Sequence, residues 1–199
     1  MKSAIRNICC LTIITLAAGF GLGYVYELTK EPIIRMEEKQ RQDAYKTVFA
    51  EASSFSDDMD IGSAPSVIAS SGIEGVEIDS CVEAVDASGS VLGYVINSTS
   101  HNGYGGDITV SIGIDNNGVV KGVEMLSISE TAGLGMKAKE SRFKDQFSDK
   151  AVKQFTYTKT GAASDFEIDA ISGATITTKA VTDAVNAALA YYESIGGGI

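Results

Sequence analysis

Twenty consecutive residues, 7–26 (NICCLTIITLAAGFGLGYVY), carry no formal charge. Coiled as a helix, such a run covers about 30 Å, roughly the hydrocarbon thickness of a bilayer. This predicts a single transmembrane helix close to the N-terminus. Lys2 and Arg6 precede the run, and a mixed flank of Glu27, Lys30, Glu31 and Arg35 follows it. That asymmetry favours a cytoplasmic N-terminus and an extracytoplasmic body, with Tyr24 and Tyr26 at the outer interface. A cleaved signal peptide is the competing reading, with Ala17 and Ala18 offering small residues for processing, but the apolar run continues past them. Gly19 and Gly23 have the GxxxG spacing that lets a second helix approach closely.

The rest of the chain is acidic. Lys2 and Arg6 are the only charged residues among the first 26, so 14 basic residues face 26 acidic ones in the remainder. Such a surface repels a phosphate backbone and argues against nucleic acid as a partner. Hydrophobic residues make up 44% of the 199, enough for a buried core. The three cysteines, Cys9, Cys10 and Cys81, fit neither a disulfide scaffold nor a zinc site and read as packing residues. The alternative for the membrane pair is contact with a metal cluster on a neighbour.

Three regions are expected: residues 1–30 as cytoplasmic N-terminus and anchor, 31–75 as helical stalk and variable loop, and 76–199 as the functional domain. Pro32 stands where a proline can open a helix, and the charged stretch after it holds apolar positions at Ile33, Met36, Tyr45, Val48 and Phe49. Residues 51–75 are rich in Ser, Asp, Gly and Ala without a period and read as loop. From Val76 the pattern alternates around an Ala-Ser-Gly turn and again around Asn-Asn-Gly, where Asn117 and Gly118 suit a hairpin. A helix is expected near 137–147 and a short strand near 154–157. A final helix carries Val181, Ala184, Val185, Ala188, Leu189 and Tyr192 on one stripe. The fold class is therefore α+β, antiparallel sheet hairpins with flanking helices, preceded by one transmembrane helix.

Just before that last helix lies DAISGATITTKAV, residues 169–181. Free amides at a helix start attract anions, and Gly173 and Ala174 are small enough to let one approach the backbone. An ordinary turn capped by Thr177 or Thr178 is the plainer alternative. No nucleotide-binding P-loop is present. Self-contained nucleophilic catalysis by Ser172 or Thr175 is a poor fit, because the only histidine, His101, is far away in sequence and no triad pattern appears.

DAISGAT, residues 169–175, resembles the flavinylation motif of the FMN-binding domain family found in RnfG and NqrC subunits of respiratory complexes. The stretch from His101 to Leu126 resembles that family's Gly-Tyr-x-Gly strand entry, here with Tyr104 and Gly105, and its Gly-Ile-Asp hairpin. SETAGLG, residues 129–135, resembles its ETPGLG loop, with Ala132 in place of proline. Histidines often found ahead of that loop are absent, Ser127 and Ser129 standing in the neighbourhood. The resemblance covers roughly residues 76–193.

The resemblance implies covalent FMN on Thr175 through a phosphoester, installed by a separate flavin transferase. It implies recognition positions at Asp169, Ser172, Gly173 and Ala174, with Thr177 near the phosphate. Tyr104, Gly105, Glu130, Thr131, Gly133, Leu134 and Gly135 are the further cofactor-binding positions, and no metal is expected. The implied role is electron relay in an Rnf-type ferredoxin:NAD oxidoreductase that moves Na+ or H+, in company with the other Rnf subunits at the cytoplasmic membrane. An NqrC-like subunit of a quinone reductase, or a stand-alone extracytoplasmic FMN carrier or sensor, are the alternatives.

Overall fold

The structure, a computed structural model, describes residues 2–196 and divides between Arg41 and Gln42 into two compact units. A single helix, α1 (Lys2–Val48), begins in the first unit and supplies the start of the second. Pro32 lies inside this helix and does not open a new one. Its missing N–H costs one backbone bond, which the strong helix formers on either side sustain. Every side chain from residue 2 to residue 40 is exposed, among them Leu11, Ile14, Leu16, Phe20 and Leu22. The uncharged stretch 7–26 of this helix is apolar all round and unburied, and the helix is long and apolar enough to cross a membrane.

The second unit is built on a six-stranded antiparallel sheet whose spatial order follows the chain: β1 (Ser54–Phe55), β2 (Val76–Val85), β3 (Val91–Ser100), β4 (Ile108–Asp115), β5 (Val119–Ile128) and β6 (Lys150–Ala151). Both expected hairpins are present, β2 with β3 and β4 with β5. Gly118 takes φ +77° at the second turn, and Asp115 Oδ1 accepts the amides of Asn117 and Val119. Period-two alternation sorts the strands into two faces. Ile108, Val110, Ile112 and Ile114 face α4 (Thr175–Ser194), whose Val181, Ala184, Val185, Ala188 and Leu189 are all buried in the same core. Ser98 Oγ donates to the Ala184 carbonyl at 2.9 Å, and Tyr192 Oη to the Asp115 carbonyl at 2.9 Å, fixing α4 along its length. A register shift between Ile78 and Ser80 re-aims β2, so that Ile78 and Cys81 share that face. Burial pushes the Cys81 thiol up to about 12, in keeping with a packing residue.

The other face meets the last turn of α1. Tyr45, Val48 and Phe49 pack on Val82, Ala84 and Val95. Asn97 is the polar hub there. Its Nδ2 donates to Tyr45 Oη at 2.7 Å and Ser80 Oγ at 2.8 Å, while its Oδ1 accepts from Ser111 Oγ at 2.7 Å.

Several elements differ from the sequence expectation. The stretch 51–75 is not all loop: it contains β1 and the helix α2 (Ala64–Ser71), which starts with Pro65 in its first turn and ends at Gly72 with φ +74°. The helix expected over 137–147 is a 3-10 turn (Gly135–Lys139) followed by one turn of α3 (Ser141–Lys144). The strand expected near 154–157 is β7 (Thr156–Thr158), which pairs in parallel with β8 (Glu167–Asp169). That small pair delivers the chain to the start of α4.

Candidate functional site

The chain turns from β8 into α4 through Ala170–Ala174, and the turn depends on Gly173, whose φ of +78° is left-handed. Helix α4 then begins at Thr175. No side chain caps it, so the capping role considered for Thr177 or Thr178 is not what these residues do. Thr178 instead lies within the helix, its Oγ1 accepting the Ile171 amide at 3.0 Å and donating to the Ala174 carbonyl at 3.0 Å. This ties the motif to the helix from behind. Among the described residues, none accepts from the amides of Thr175, Ile176 and Thr177. No acidic residue occupies the first turn either, so the positive end of the helix dipole is uncompensated there.

These amides border a cavity of about 590 Å³ lined by Gly173–Thr177 on one side and by Tyr104, Glu130, Thr131, Leu134 and Gly135 on the other. Nine of the expected cofactor positions thus meet in one place: Thr175, Gly173, Ala174, Thr177, Tyr104, Glu130, Thr131, Leu134 and Gly135. Two close approaches hold the opposing loops together. A Cβ on Gly105 would stand 2.1 Å from the Ser129 carbonyl oxygen, so the 103–106 loop lies directly against the start of the 129–135 loop. The Tyr104 amide donates to Glu130 Oε1 at 2.8 Å across the same junction. Gly105 and Gly133 do not line the cavity; they shape its walls, Gly133 through a turn at φ +77°.

Asp169 and Ser172 lie elsewhere. They line a neighbouring cavity of about 380 Å³ together with Lys137, Arg142 and Gln146. Asp169 is held there by its backbone, its amide donating to Gln146 Oε1 at 2.7 Å, while its Oδ1 accepts the Ala162 amide at 2.5 Å. Ile176, absent from the expected set, lines the larger cavity. Its position directly after Thr175 was the available signal.

The larger cavity suits a flat aromatic group carrying an anion. Its volume falls in the range of small-molecule sites, of the order of 300–1,000 Å³. Tyr104, Leu134 and Ile176 are 71%, 43% and 52% exposed, a concentration of open apolar surface around one hollow. The uncapped amides supply the anion end. Among the described residues no Lys, Arg or His lines the wall, and Glu130, its one charged side chain, makes no hydrogen bond to the Thr175 hydroxyl. His101 is engaged outside it, with Nδ1 3.0 Å from Asp107 Oδ1 and Nε2 3.6 Å from Glu77 Oε1. The Asp107 hydrogen bond raises the His101 pKa above the ordinary histidine value.

A family model described as the FMN-binding domain matches residues 103–190, from the Tyr104 loop through most of α4. Over these residues the chain is similar to the FMN-binding domain family. Among curated relatives, the G subunit of the Na(+)-translocating ferredoxin:NAD(+) oxidoreductase complex of Acetobacterium woodii is 37% identical over 111 residues, 55% of this chain. The match spans about half of that relative, 53% of its length. The G subunit of the ion-translocating oxidoreductase complex of Methanosarcina acetivorans is 29% identical over 204 residues, covering 98% of each chain. The crystal structure of Shewanella oneidensis NqrC superposes with a TM-score of 0.50 at 17% identity, over 60% of this chain and 61% of that one. At that identity the likeness is one of fold, and it agrees with the α+β class.

Proposed function

We propose that this chain carries FMN on Thr175, joined by a separate flavin transferase, and relays electrons as the G subunit of an Rnf-type ion-translocating ferredoxin:NAD oxidoreductase. The observation that carries the reading is the placement of Thr175. It is the first residue of α4, in the wall of the one described cavity that combines uncapped helix amides with open apolar surface. The alignment with a G subunit over 98% of both chains supports the choice of complex over an NqrC-like one.

In this role FMN supplies one- and two-electron transfer, and the protein supplies attachment, orientation and electrostatics. The amides of Thr175, Ile176 and Thr177 face the phosphate, and Leu134, Ile176 and Tyr104 offer apolar surface to the ring. Among the described residues no side chain hydrogen-bonds the Thr175 hydroxyl, and its activation falls to the transferase. Asp169 and Ser172, on the neighbouring cavity, form with Lys137 and Arg142 the face that the transferase reads. The N-terminal helix anchors the chain in the cytoplasmic membrane, and the body stands on the extracytoplasmic side. There a covalent link keeps a cofactor that could not readily be replaced once lost.

Expression alongside a flavin transferase tests the reading. The denatured wild-type band should fluoresce as flavin, and the Thr175→Ala band should be dark while the folded variant keeps its circular dichroism. Fluorescence that survives the substitution refutes the assignment.

A further inference from the structure

Among the described residues, the cavity wall contains a single charged side chain, Glu130. One of its oxygens is committed, since Oε1 accepts the Tyr104 amide at 2.8 Å. The other points inward: a Cβ built on buried Gly135 would lie 2.7 Å from Glu130 Oε2 and 2.7 Å from Thr177 Oγ1, so both atoms crowd one point on the cavity floor. No Lys, Arg or His among the described residues forms an ion pair with Glu130, and α4 starts at Thr175 on the same wall. The side chain is half-buried. Its charge therefore acts on whatever fills the cavity through a medium less polar than water.

We infer that Glu130 lowers the reduction potential of the flavin held in this cavity. The inference rests on the FMN reading above. A flavin ring that takes up two electrons and one proton ends one negative charge richer than it began. A fixed carboxylate in the wall opposes that gain whichever edge of the ring it faces, and no cation in the lining offsets it. The same carboxylate orders the entrance by gripping the Tyr104 loop, so one residue couples loop position to cofactor potential. At an effective dielectric of about 20 and a separation of about 10 Å, removing the charge changes the reduction equilibrium roughly tenfold or somewhat more. For a two-electron couple, tenfold is about 30 mV.

Glu130→Gln separates the two roles, because glutamine keeps an acceptor for the Tyr104 amide and loses the charge. The full-length protein, flavinylated by coexpression with a transferase, is titrated with a chemical reductant and followed by the loss of flavin absorbance. The potential of Glu130→Gln should rise by the equivalent of at least tenfold, about 30 mV. Glu130→Asp should stay nearer wild type. Glu193→Gln, which removes a carboxylate at the far end of α4, should leave the potential in place. If Glu130→Gln does not accept flavin, Thr131→Lys is read instead: a cation on the same wall should raise the potential likewise. An unchanged potential in a flavin-loaded variant overturns the inference and leaves the FMN reading standing, as does an equal rise in Glu193→Gln. Wild-type protein with no attached flavin overturns both.

Discussion

Gly135→Ala perturbs the floor of the cavity by a single methyl group. The added Cβ would stand 2.7 Å from Glu130 Cβ, 2.7 Å from Glu130 Oε2 and 2.7 Å from Thr177 Oγ1. Thr177 is 1% exposed and sits in the first turn of α4, so it has nowhere to go. Glu130 must yield, and because its Cβ is among the crowded atoms a change of rotamer does not suffice. The 129–135 loop has to shift, loosening the Tyr104 amide bond. Overpacking of this kind costs about 1–3 kcal/mol. The backbone of Gly135 is not left-handed, so the reduced freedom of the unfolded chain returns about 0.4–1 kcal/mol. Taking the middle of each range, the net loss is about 1.3 kcal/mol, which for a domain of this size lowers Tm by about 3–5 °C. Differential scanning fluorimetry of the two purified proteins reads that shift, and in-gel flavin fluorescence reads loading, which should fall as the cavity closes. A Gly135→Ala protein with unchanged Tm and unchanged loading would refute the packing argument.

Asn97→Leu should destabilise the body by about 2–4 kcal/mol, measured by urea denaturation, because it withdraws hydrogen-bond partners from the buried Ser80 and Ser111 hydroxyls and from Tyr45; a midpoint equal to wild type would contradict the hub. The His101 pKa is raised by the Asp107 hydrogen bond and then by the charges of Asp107, Glu77 and Asp79, with partial desolvation acting in the opposite direction. Its folded pKa thus exceeds its unfolded one, so its stabilisation is complete below the ordinary histidine range and lost as pH rises through the raised value. Wild type should therefore gain more over His101→Gln at pH 5.5 than at pH 8.5; a difference that is flat across this range, or runs the other way, would contradict the pairing.

Much of the frame could be read from the residues. The Asn117-Gly118 turn between two alternating runs announced the β4–β5 hairpin, and the stripe from Val181 to Tyr192 announced α4, because both patterns run long enough for a period to show. Helix α2 escaped notice since it has only eight residues and lies in Ser- and Gly-rich surroundings, although Pro65 and Gly72 bracket it in the usual way. Strands β6 and β8 are two and three residues long, too short for alternation to register. At the site, the motif and the Tyr104 and Glu130 loops could be assigned to one place from the family pattern. The division of the motif between two cavities could not, because it depends on the left-handed turn at Gly173 and on Gln146 gripping the Asp169 backbone from 23 residues away.

The hydroxyl of Thr175 is where the FMN reading stands or falls. Proteolysis of the native protein from membranes, followed by mass spectrometry of the peptide holding residues 169–179, measures it directly. The expected result is a peptide heavier by FMN less one water, with fragmentation placing the added mass on Thr175. Recovery of that peptide wholly unmodified from membranes active in electron transfer, or modified at Thr177 or Thr178 instead, would contradict it.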